Sequence, residues 1–354
     1  MNSKKKLLII DGSSMLTTNY FATLPSQVKM AKTDEEREAN YHRIMQSPDG
    51  RYTNAVFTTL KMVKKILDDD YGFTHLVICF DKTRDTFRRK IDPNYKANRK
   101  PTQEPLKQQF ILMEEVFERI GIKVMYRDEY EADDLAGSIA RQYWSEFQSV
   151  RIMTKDGDYY QLASDRENIR LWMIQTKKES ALEAIHKNAG FFFSENERQK
   201  EVNFLYEKTP NNVVEYTEEY VYAEKGVYPN LIVDLKAIEG DASDNIPGVK
   251  NVSSAAAPLL NEYGSLEGIY EAIDACEGIA KKEKELTAFW KEKLEIKRSP
   301  LKAMLAGREN AFLSQKLAKI KTDIALDICL DDMKIAVKEK ELHAVCKELG
   351  IKSL

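Results

Sequence analysis

Short apolar runs, three of which lead to an aspartate, limit the possible folds of this sequence more than any other feature. The predicted strands are 7–11, 75–81, 122–126, 150–154 and 168–173, and the clearest predicted helices are 54–67, 104–120 and the segment that follows 131–134. Asp11 and Asp81 end two of these strands, and Asp156 follows another. The alternation predicts an α/β fold with a mostly parallel, doubly wound sheet and helices on both faces.

Nine carboxylates lie in five short motifs, at 8–12, 78–81, 130–134, 154–158 and 240–245. They are Asp11, Asp81, Glu131, Asp133, Asp134, Asp156, Asp158, Asp241 and Asp244. The crevice beyond the carboxyl ends of parallel strands is where such sheets bind ligands. Carboxylates crowded there would take up protons unless cations neutralised them. Each acid alone is explained better as a helix cap or a turn residue, but their joint occurrence favours a metal centre.

The chemistry that suits such a centre is phosphodiester hydrolysis. Two divalent ions can activate water, orient the scissile phosphate and stabilise the leaving oxygen. Magnesium keeps several of its waters, so we expect the nine acids to divide into direct ligands and residues that act through bound water.

A basic stretch directly follows Asp81. Residues 82–100 hold eight Lys or Arg residues against two Asp, although the whole chain carries a net charge of −3. For an arbitrary charge run a solvated helix face is the usual explanation. Beside an acidic cluster, the stretch favours a polyanionic substrate that is cut with the help of metal ions.

Composition excludes several other classes of protein. No apolar run approaches the ~20 residues of a membrane span, so we expect no membrane association. Four cysteines and four histidines are scattered along the chain, which disfavours a disulfide framework and a zinc site. We therefore expect a cytoplasmic protein.

The chain divides into three predicted parts. Residues 1–173 form the α/β core, with a polar surface excursion at 25–50. Residues 174–215 form a polar insertion of unknown role. Residues 216–354 form a helical region, which we expect to be helical to its end after residue 229.

The acidic motifs, together with those at 87–88, 95–99, 159–162 and 244–249, resemble the flap endonuclease and 5′→3′ exonuclease family. The likeness is greatest to the 5′ nuclease domain of bacterial DNA polymerase I and its free-standing homologues, and it runs from residue 7 to the end. All nine family carboxylates have a counterpart here. The chain ends where the nuclease module would, so we expect no polymerase domain to follow.

The resemblance implies a role for each motif. Asp11, Asp81, Glu131, Asp133 and Asp134 would serve a first metal site, and Asp156, Asp158, Asp241 and Asp244 a second. Residues 82–110 would form a helical arch for a single-stranded 5′ end, in which Lys96 and Arg99 stabilise charge at the scissile phosphate. Tyr95 would stack on a base. The remaining DNA contacts would come from Arg88, Arg89, Lys100 and Lys250.

The predicted helix-hairpin-helix element at 238–262 departs from the family pattern. Asn251 and Ser253 replace two glycines that let backbone approach phosphate closely, and the usual basic residue after them is missing. Pro258 should limit how early the second helix becomes regular. We predict that this element grips duplex DNA more weakly, or without the potassium ion usual in the family.

The sequence therefore predicts a magnesium-dependent 5′→3′ exonuclease and 5′ flap endonuclease, with two metal ions, for which manganese could substitute. Its substrates would be DNA with 5′ flaps or free 5′ ends, including RNA primers on DNA, in replication or repair. Two alternatives stay open: an acidic α/β ribonuclease, and a non-catalytic DNA-binding scaffold of the same fold. The basic stretch argues against the first, and the complete set of acids argues against the second.

Overall fold

The computed structural model describes residues 5–69, 71–189, 194–352 and 354, and its centre is a six-stranded sheet in the order β3-β2-β1-β4-β5-β6. The strands are β1 (Lys6–Asp11), β2 (His75–Cys79), β3 (Lys123–Met125), β4 (Ser149–Thr154), β5 (Ile169–Ile174) and β6 (Val213–Tyr216). The first five are parallel, and β6 pairs antiparallel with β5. The predicted mostly parallel, doubly wound sheet is confirmed.

Helices cover both faces of the sheet, which explains why its central strands are apolar throughout. Successive residues of β1 point to opposite faces, so Leu7 and Ile9 join one hydrophobic core, whereas Leu8 and Ile10 join the other. The helices of the first half are α1 (Gly12–Thr23), α2 (Ser26–Lys29), α3 (Asp34–Ala39), α4 (Asn54–Asp68), α5 (Phe87–Ile91), α6 (Glu104–Arg119) and α7 (Ala132–Tyr143). The helices predicted at 54–67 and 104–120 are thus confirmed as α4 and α6.

Two segments were predicted without a detailed structure. The excursion at 25–50 contains the short helices α2 and α3. The predicted helical arch at 82–110 contains α5 and the beginning of α6, while residues 92–103 between them form turns and irregular chain.

The segment at 174–215 contributes to the sheet. It contains α8 (Lys178–Ala189), α9 (Glu195–Glu207) and strand β6, which extends the sheet by pairing with β5. Residues 190–193, with the aromatic run 191–193, lie outside the described residues. The division of the chain at 173 and 216 stays a prediction.

The second half is mainly helical. Its helices are α10 (Glu218–Lys225), α11 (Ile232–Glu239), α12 (Ser253–Tyr263), α13 (Leu266–Asp274), α14 (Ala280–Lys293), α15 (Leu301–Ala306), α16 (Arg308–Ala318) and α17 (Glu339–Glu348). No helix among the described residues is long and apolar enough to cross a membrane.

The prediction of helix to the end of the chain is wrong between α16 and α17. Residues 319–329 form an extended strap across α7, where Gly137 leaves room for it: a Cβ there would lie 2.9 Å from the Ile320 side chain. The backbone N–H groups of Ile320 and Lys321 donate to Gln161 Oε1 and Asp134 Oδ1, at 2.9 and 2.8 Å. Because distant side chains satisfy these groups, the strap needs no helical hydrogen bonds.

Candidate active site

Asp11 is the last residue of β1, and Asp81 lies two residues beyond the end of β2, so both lie at the carboxyl ends of these strands, as predicted. Asp11 caps α1 by accepting from the backbone N–H of Ser14 at 2.9 Å, and it also accepts from the Thr154 hydroxyl at 2.8 Å. Asp81 accepts from the backbone N–H of Ala132 at 2.9 Å, which ties the end of β2 to the start of α7. Burial and the nearby charge of Asp81 raise the pKa of Asp11 from its ordinary 3.8 to about 6.

The acids at the start of α7 serve different purposes. Asp134 is fully buried and forms a capping box with Glu131. It also receives both ends of the Arg88 guanidinium, at 2.7 and 2.8 Å, and the N–H of Lys321. Protein donors thus surround Asp134, and its role as a metal ligand stays a prediction. Burial and the charge of Asp134 raise the pKa of neighbouring Asp133 well above its ordinary value.

Arg88 does not fit its predicted contact with DNA phosphates. Its side chain is 1% exposed, and it donates to the carbonyls of Leu317 and Lys319 as well as to Asp134. These bonds join α5, the start of α7 and the strap. Arg88 is therefore a structural link between the basic stretch and the acidic helix.

Three residues of the basic segment contact the acids directly, namely Tyr95, Lys96 and Arg99. The Lys96 ammonium is 2.8 Å from Glu131 Oε2 and 3.5 Å from Asp244 Oδ2, and Arg99 pairs with Asp244. The Tyr95 hydroxyl is 3.0 Å from Glu131 Oε2 and 3.1 Å from Asp244 Oδ2. Tyr95 is only 3% exposed, so its predicted stacking on a base does not fit this arrangement.

The other predicted DNA contacts differ in exposure. Lys100 and Lys250 are exposed, whereas Arg89 is half-buried and donates to the carbonyl of Tyr95 at 3.3 Å. The DNA contacts of the two lysines stay a prediction, while Arg89 supports the basic segment through its bond to Tyr95.

Lys236 is a functional candidate that our sequence reasoning missed. It extends from α11 and forms ion pairs with Asp158 and with Asp241, the latter at 2.8 Å. Burial alone would raise the pKa of Asp241, but the hydrogen bond and charge of Lys236 lower it to about 2. The sequence did hold a signal: Lys236 interrupts the apolar run Leu235–Ile238 just before the 240–245 motif.

A cavity of about 420 Å³ opens beside this second group of acids. Its lining includes Asp156, Asp158, Lys236 and Asp241. The Asp156 side chain accepts from the backbone N–H of Asp158 at 2.9 Å, so the tight turn after β4 holds these two acids together.

The hairpin beside Asp244 places one of the residues that replace glycine in a left-handed conformation. Asn251 adopts a left-handed conformation, with φ of 65°, which Asn tolerates better than most residues. Helix α12 begins at Ser253 and contains Pro258 in its interior. Our expectation that Pro258 would delay regular helix is therefore wrong, since the helix is already regular before it.

Basic side chains thus contact the predicted acids directly. Glu131 and Asp244, from distant parts of the chain, share Lys96 and Tyr95, while Asp158 and Asp241 share Lys236. Among the residues that the structure describes, no three His, Cys, Asp or Glu side chains are arranged to hold a metal ion. Lysine and arginine side chains engage several of the carboxylates instead.

Comparison with known proteins gives a consistent result. Residues 6–190 match the model of the 5′-3′ exonuclease N-terminal, resolvase-like domain, and residues 227–341 match that of the 5′-3′ exonuclease C-terminal SAM fold. The chain is 31% identical to DNA polymerase I of Bacillus caldotenax over 99% of its own length and 32% of that protein's. It thus spans about a third of the polymerase relatives that it matches.

A free-standing relative and a solved structure match over most of their length. The 5′-3′ exonuclease of Buchnera aphidicola subsp. Schizaphis graminum is 27% identical over 93% of this chain and 91% of its own. A structure of T5 5′-exonuclease with bound zinc ions has a TM-score of 0.56 at 18% identity, covering 98% of this chain and all of that one. The latter likeness concerns the fold alone. With both domain models matched in order, the chain belongs to the 5′-3′ exonuclease family.

Proposed function

We propose that this chain is a metal-dependent, structure-selective nuclease that cleaves DNA near 5′ flaps and free 5′ ends in replication or repair. One observation carries the proposal: Lys96 contacts both Glu131 of the α/β core and Asp244 of the helical region. A phosphate that reaches this point meets basic side chains and acids together, as metal-assisted cleavage of a polyanion requires.

The carboxylates suit a divalent cation with oxygen ligands. Burial raises the pKa values of Asp11 and Asp133, and so do the charges of Asp81 and Asp134 respectively; bound cations would relieve this. We propose magnesium, with manganese as a substitute, and two groups of acids. The first contains Asp11, Asp81, Glu131 and Asp133, and the second contains Asp156, Asp158, Asp241 and Asp244. When bound, the ions would supply an activated water and neutralise charge at the scissile phosphate.

The protein's own residues would position the substrate. Lys96 and Arg99 would exchange their carboxylate partners for the phosphate, because both groups are anionic oxygen acceptors. The positive charge of Lys236 would reduce the repulsion between Asp158 and Asp241 until ions bind. Arg88 and Asp134 would hold the basic segment against α7 throughout.

Cleavage of a labelled 5′-flap DNA tests this proposal directly. We expect cleavage with magnesium, none with EDTA, and none in Asp158→Asn, while Asp68→Asn, at an exposed position at the end of α4, stays active. DNA binding in EDTA should survive in Asp158→Asn. Full activity of Asp158→Asn would refute the assignment of the second group, and cleavage of a matching RNA alone would favour a ribonuclease.

The hairpin prediction needs its own experiment. We propose that the left-handed Asn251 preserves the turn, while the side chains of Asn251 and Ser253 keep phosphate farther from the backbone than glycines would, and the missing basic residue weakens binding to duplex DNA further. Duplex affinity should be modest and insensitive to potassium, and a doubly substituted Asn251→Gly/Ser253→Gly variant should bind more tightly. Strong potassium-dependent binding by the native chain would contradict this.

The place of action also remains a proposal. All four cysteines are free thiols in the structure, which is typical of proteins in a reducing compartment. We infer that the chain acts in the cytoplasm. Formation of disulfides in protein isolated with its thiols blocked at lysis would contradict this.

A further inference from the structure

An exposed pair of stacked tyrosines lies at the end of α10. The ring centroids of Tyr222 and Tyr228 are 4.7 Å apart at an interplanar angle of 28°, and the two residues are 38% and 44% exposed. Gly226 ends the helix in a left-handed conformation and turns the chain back, which brings Tyr228 onto Tyr222. Asn261 on α12 donates to the carbonyl of Gly226 at 2.8 Å and fixes the turn. The pair is therefore a preformed aromatic surface.

Lys225 connects this surface with the candidate active site. It lies three residues after Tyr222 on α10, so the two side chains share one helix face. Its ammonium is 5.5 Å from the centroid of the Tyr160 ring. Lys225 and Tyr160 both line the cavity that contains Asp156 and Asp158. A chain leaving this cavity past Lys225 would come to the tyrosine pair.

Lys225 carries its charge close to the pair, with one acid in its neighbourhood. Glu224 is paired with Lys187 at 3.2 Å, whereas Glu239 is exposed on the wall of the cavity; partial burial raises the pKa of Glu239, and the charge of Lys225 opposes this. Within the part of the chain that the structure describes, Lys225 forms no ion pair within 4 Å. Two open aromatic rings beside a lysine offer the combination that binds single-stranded nucleic acid: bases stack on rings and phosphates meet positive charge.

We propose that Tyr222, Tyr228 and Lys225 form a binding subsite for a single-stranded part of the DNA substrate. One base stacks on the open face of the tyrosine pair, and Lys225 contacts the phosphate between that base and the carboxylate cavity. This inference rests on the proposed nuclease function, because it takes the strand in the cavity to be DNA. The competing explanation is that the pair only stabilises the turn after α10.

Binding measured in EDTA separates the subsite from catalysis. Fluorescence anisotropy with a labelled 5′-flap DNA should show roughly five- to 100-fold weaker binding for Tyr228→Ala, the range that loss of one base–aromatic stack produces. Tyr228→Phe keeps the ring and should bind like the wild type. Lys225→Met should lower the dependence of log K on log salt by about 0.7–0.9, as one lost phosphate contact does. Phe204→Ala, which removes another exposed aromatic ring, is the matched control and should have no effect.

DNA with single abasic positions locates the base without altering the protein. Wild-type binding should weaken at one abasic position, and Tyr228→Ala should show no further loss there. Equal affinity of wild type and Tyr228→Ala, equal losses in Phe204→Ala, or the same loss at every abasic position would overturn the subsite. If the wild type still cleaves flap DNA with magnesium, the nuclease proposal survives that result; a wild type that binds but never cleaves refutes the nuclease proposal instead.

Discussion

Asp11→Asn should stabilise the metal-free protein at neutral pH, although it removes a central acid of the proposed active site. Asp11 is 5% exposed, and its pKa is raised to about 6 by burial and by the charge of Asp81. An Asn side chain resembles the protonated acid. Its amide oxygen can accept from the Ser14 N–H, and its amide nitrogen can donate to Thr154 Oγ1, so both hydrogen-bonded neighbours keep a partner.

The size and pH range of the effect follow from proton linkage. The folded pKa lies above the ordinary value of 3.8, so the folded protein binds the proton more tightly than the unfolded chain. The free energy of unfolding of the wild type therefore falls as pH rises from about 4 to about 6, and the deficit is complete above that range. The difference between 3.8 and about 6 corresponds to about 3 kcal/mol, because one pKa unit is worth about 1.4 kcal/mol. Loss of the Thr154 donor bond reduces the expected gain to about 1–3 kcal/mol.

Urea denaturation in EDTA at pH 4.5 and pH 8 measures this difference. We expect Asp11→Asn to unfold at higher urea than the wild type at pH 8, with little difference at pH 4.5. Asp68→Asn, at an exposed position paired with Lys64, should show no such pH-dependent gain. A gain of the same size at both pH values, or none at pH 8, would refute the reasoning, because the charge of Asp11 would then not be the cause.

Three further variants examine other contacts of the site. Arg88→Met should lower the free energy of unfolding by about 3–5 kcal/mol, because it leaves the buried Asp134 carboxylate without its partner. Arg89→Met, the control, should cost less than about 1 kcal/mol. Equal urea midpoints for the two variants would contradict this. Asn251→Val should lower the free energy of unfolding by about 1–2 kcal/mol, because position 251 has a positive φ, whereas Asn251→Gly should cost little. Equal melting curves for the two variants would exclude backbone strain at this position. Lys236→Met should lower the magnesium concentration for half-maximal cleavage by about fivefold, because a partly exposed ion pair is worth about 1 kcal/mol. An unchanged or higher magnesium requirement would show that Lys236 does not compete with the ion.

The sequence predicted best those elements whose apolar residues recur with a regular period. The α4 prediction held because Val56, Leu60 and Val63 recur at helical spacing and all three side chains are buried. The strap at 319–329 could not be predicted in this way. Its backbone groups bond to Asp134, Ser138 and Gln161, which lie more than 150 residues earlier in the chain, so no local pattern marks it.

The positions of the acids were predictable, but their individual roles were not. Asp133 and Asp134 are neighbours in sequence and equally acidic, yet successive helix residues point about 100° apart. Both side chains nevertheless lie near Arg88: Asp134 receives the guanidinium at 2.7 and 2.8 Å and also bonds to the strap, whereas Asp133 is 3.8 Å from it. A motif shows only that two carboxylates begin the helix; the surrounding fold decides which one receives the direct hydrogen bonds.

The same distinction separates the basic residues. Arg88 is almost fully buried and bonded on all sides by Asp134 and two carbonyls, so its position cannot change without disrupting the strap. Lys96 and Lys236 are each about one-fifth exposed and contact carboxylates, and Lys236 also lines the cavity. Their flexible side chains can leave those acids when a cation or phosphate offers a stronger interaction. We propose that permanent and exchangeable neutralisation coexist at these acids: the buried arginine maintains the shape of the site, and the two lysines neutralise the acids until ligands bind.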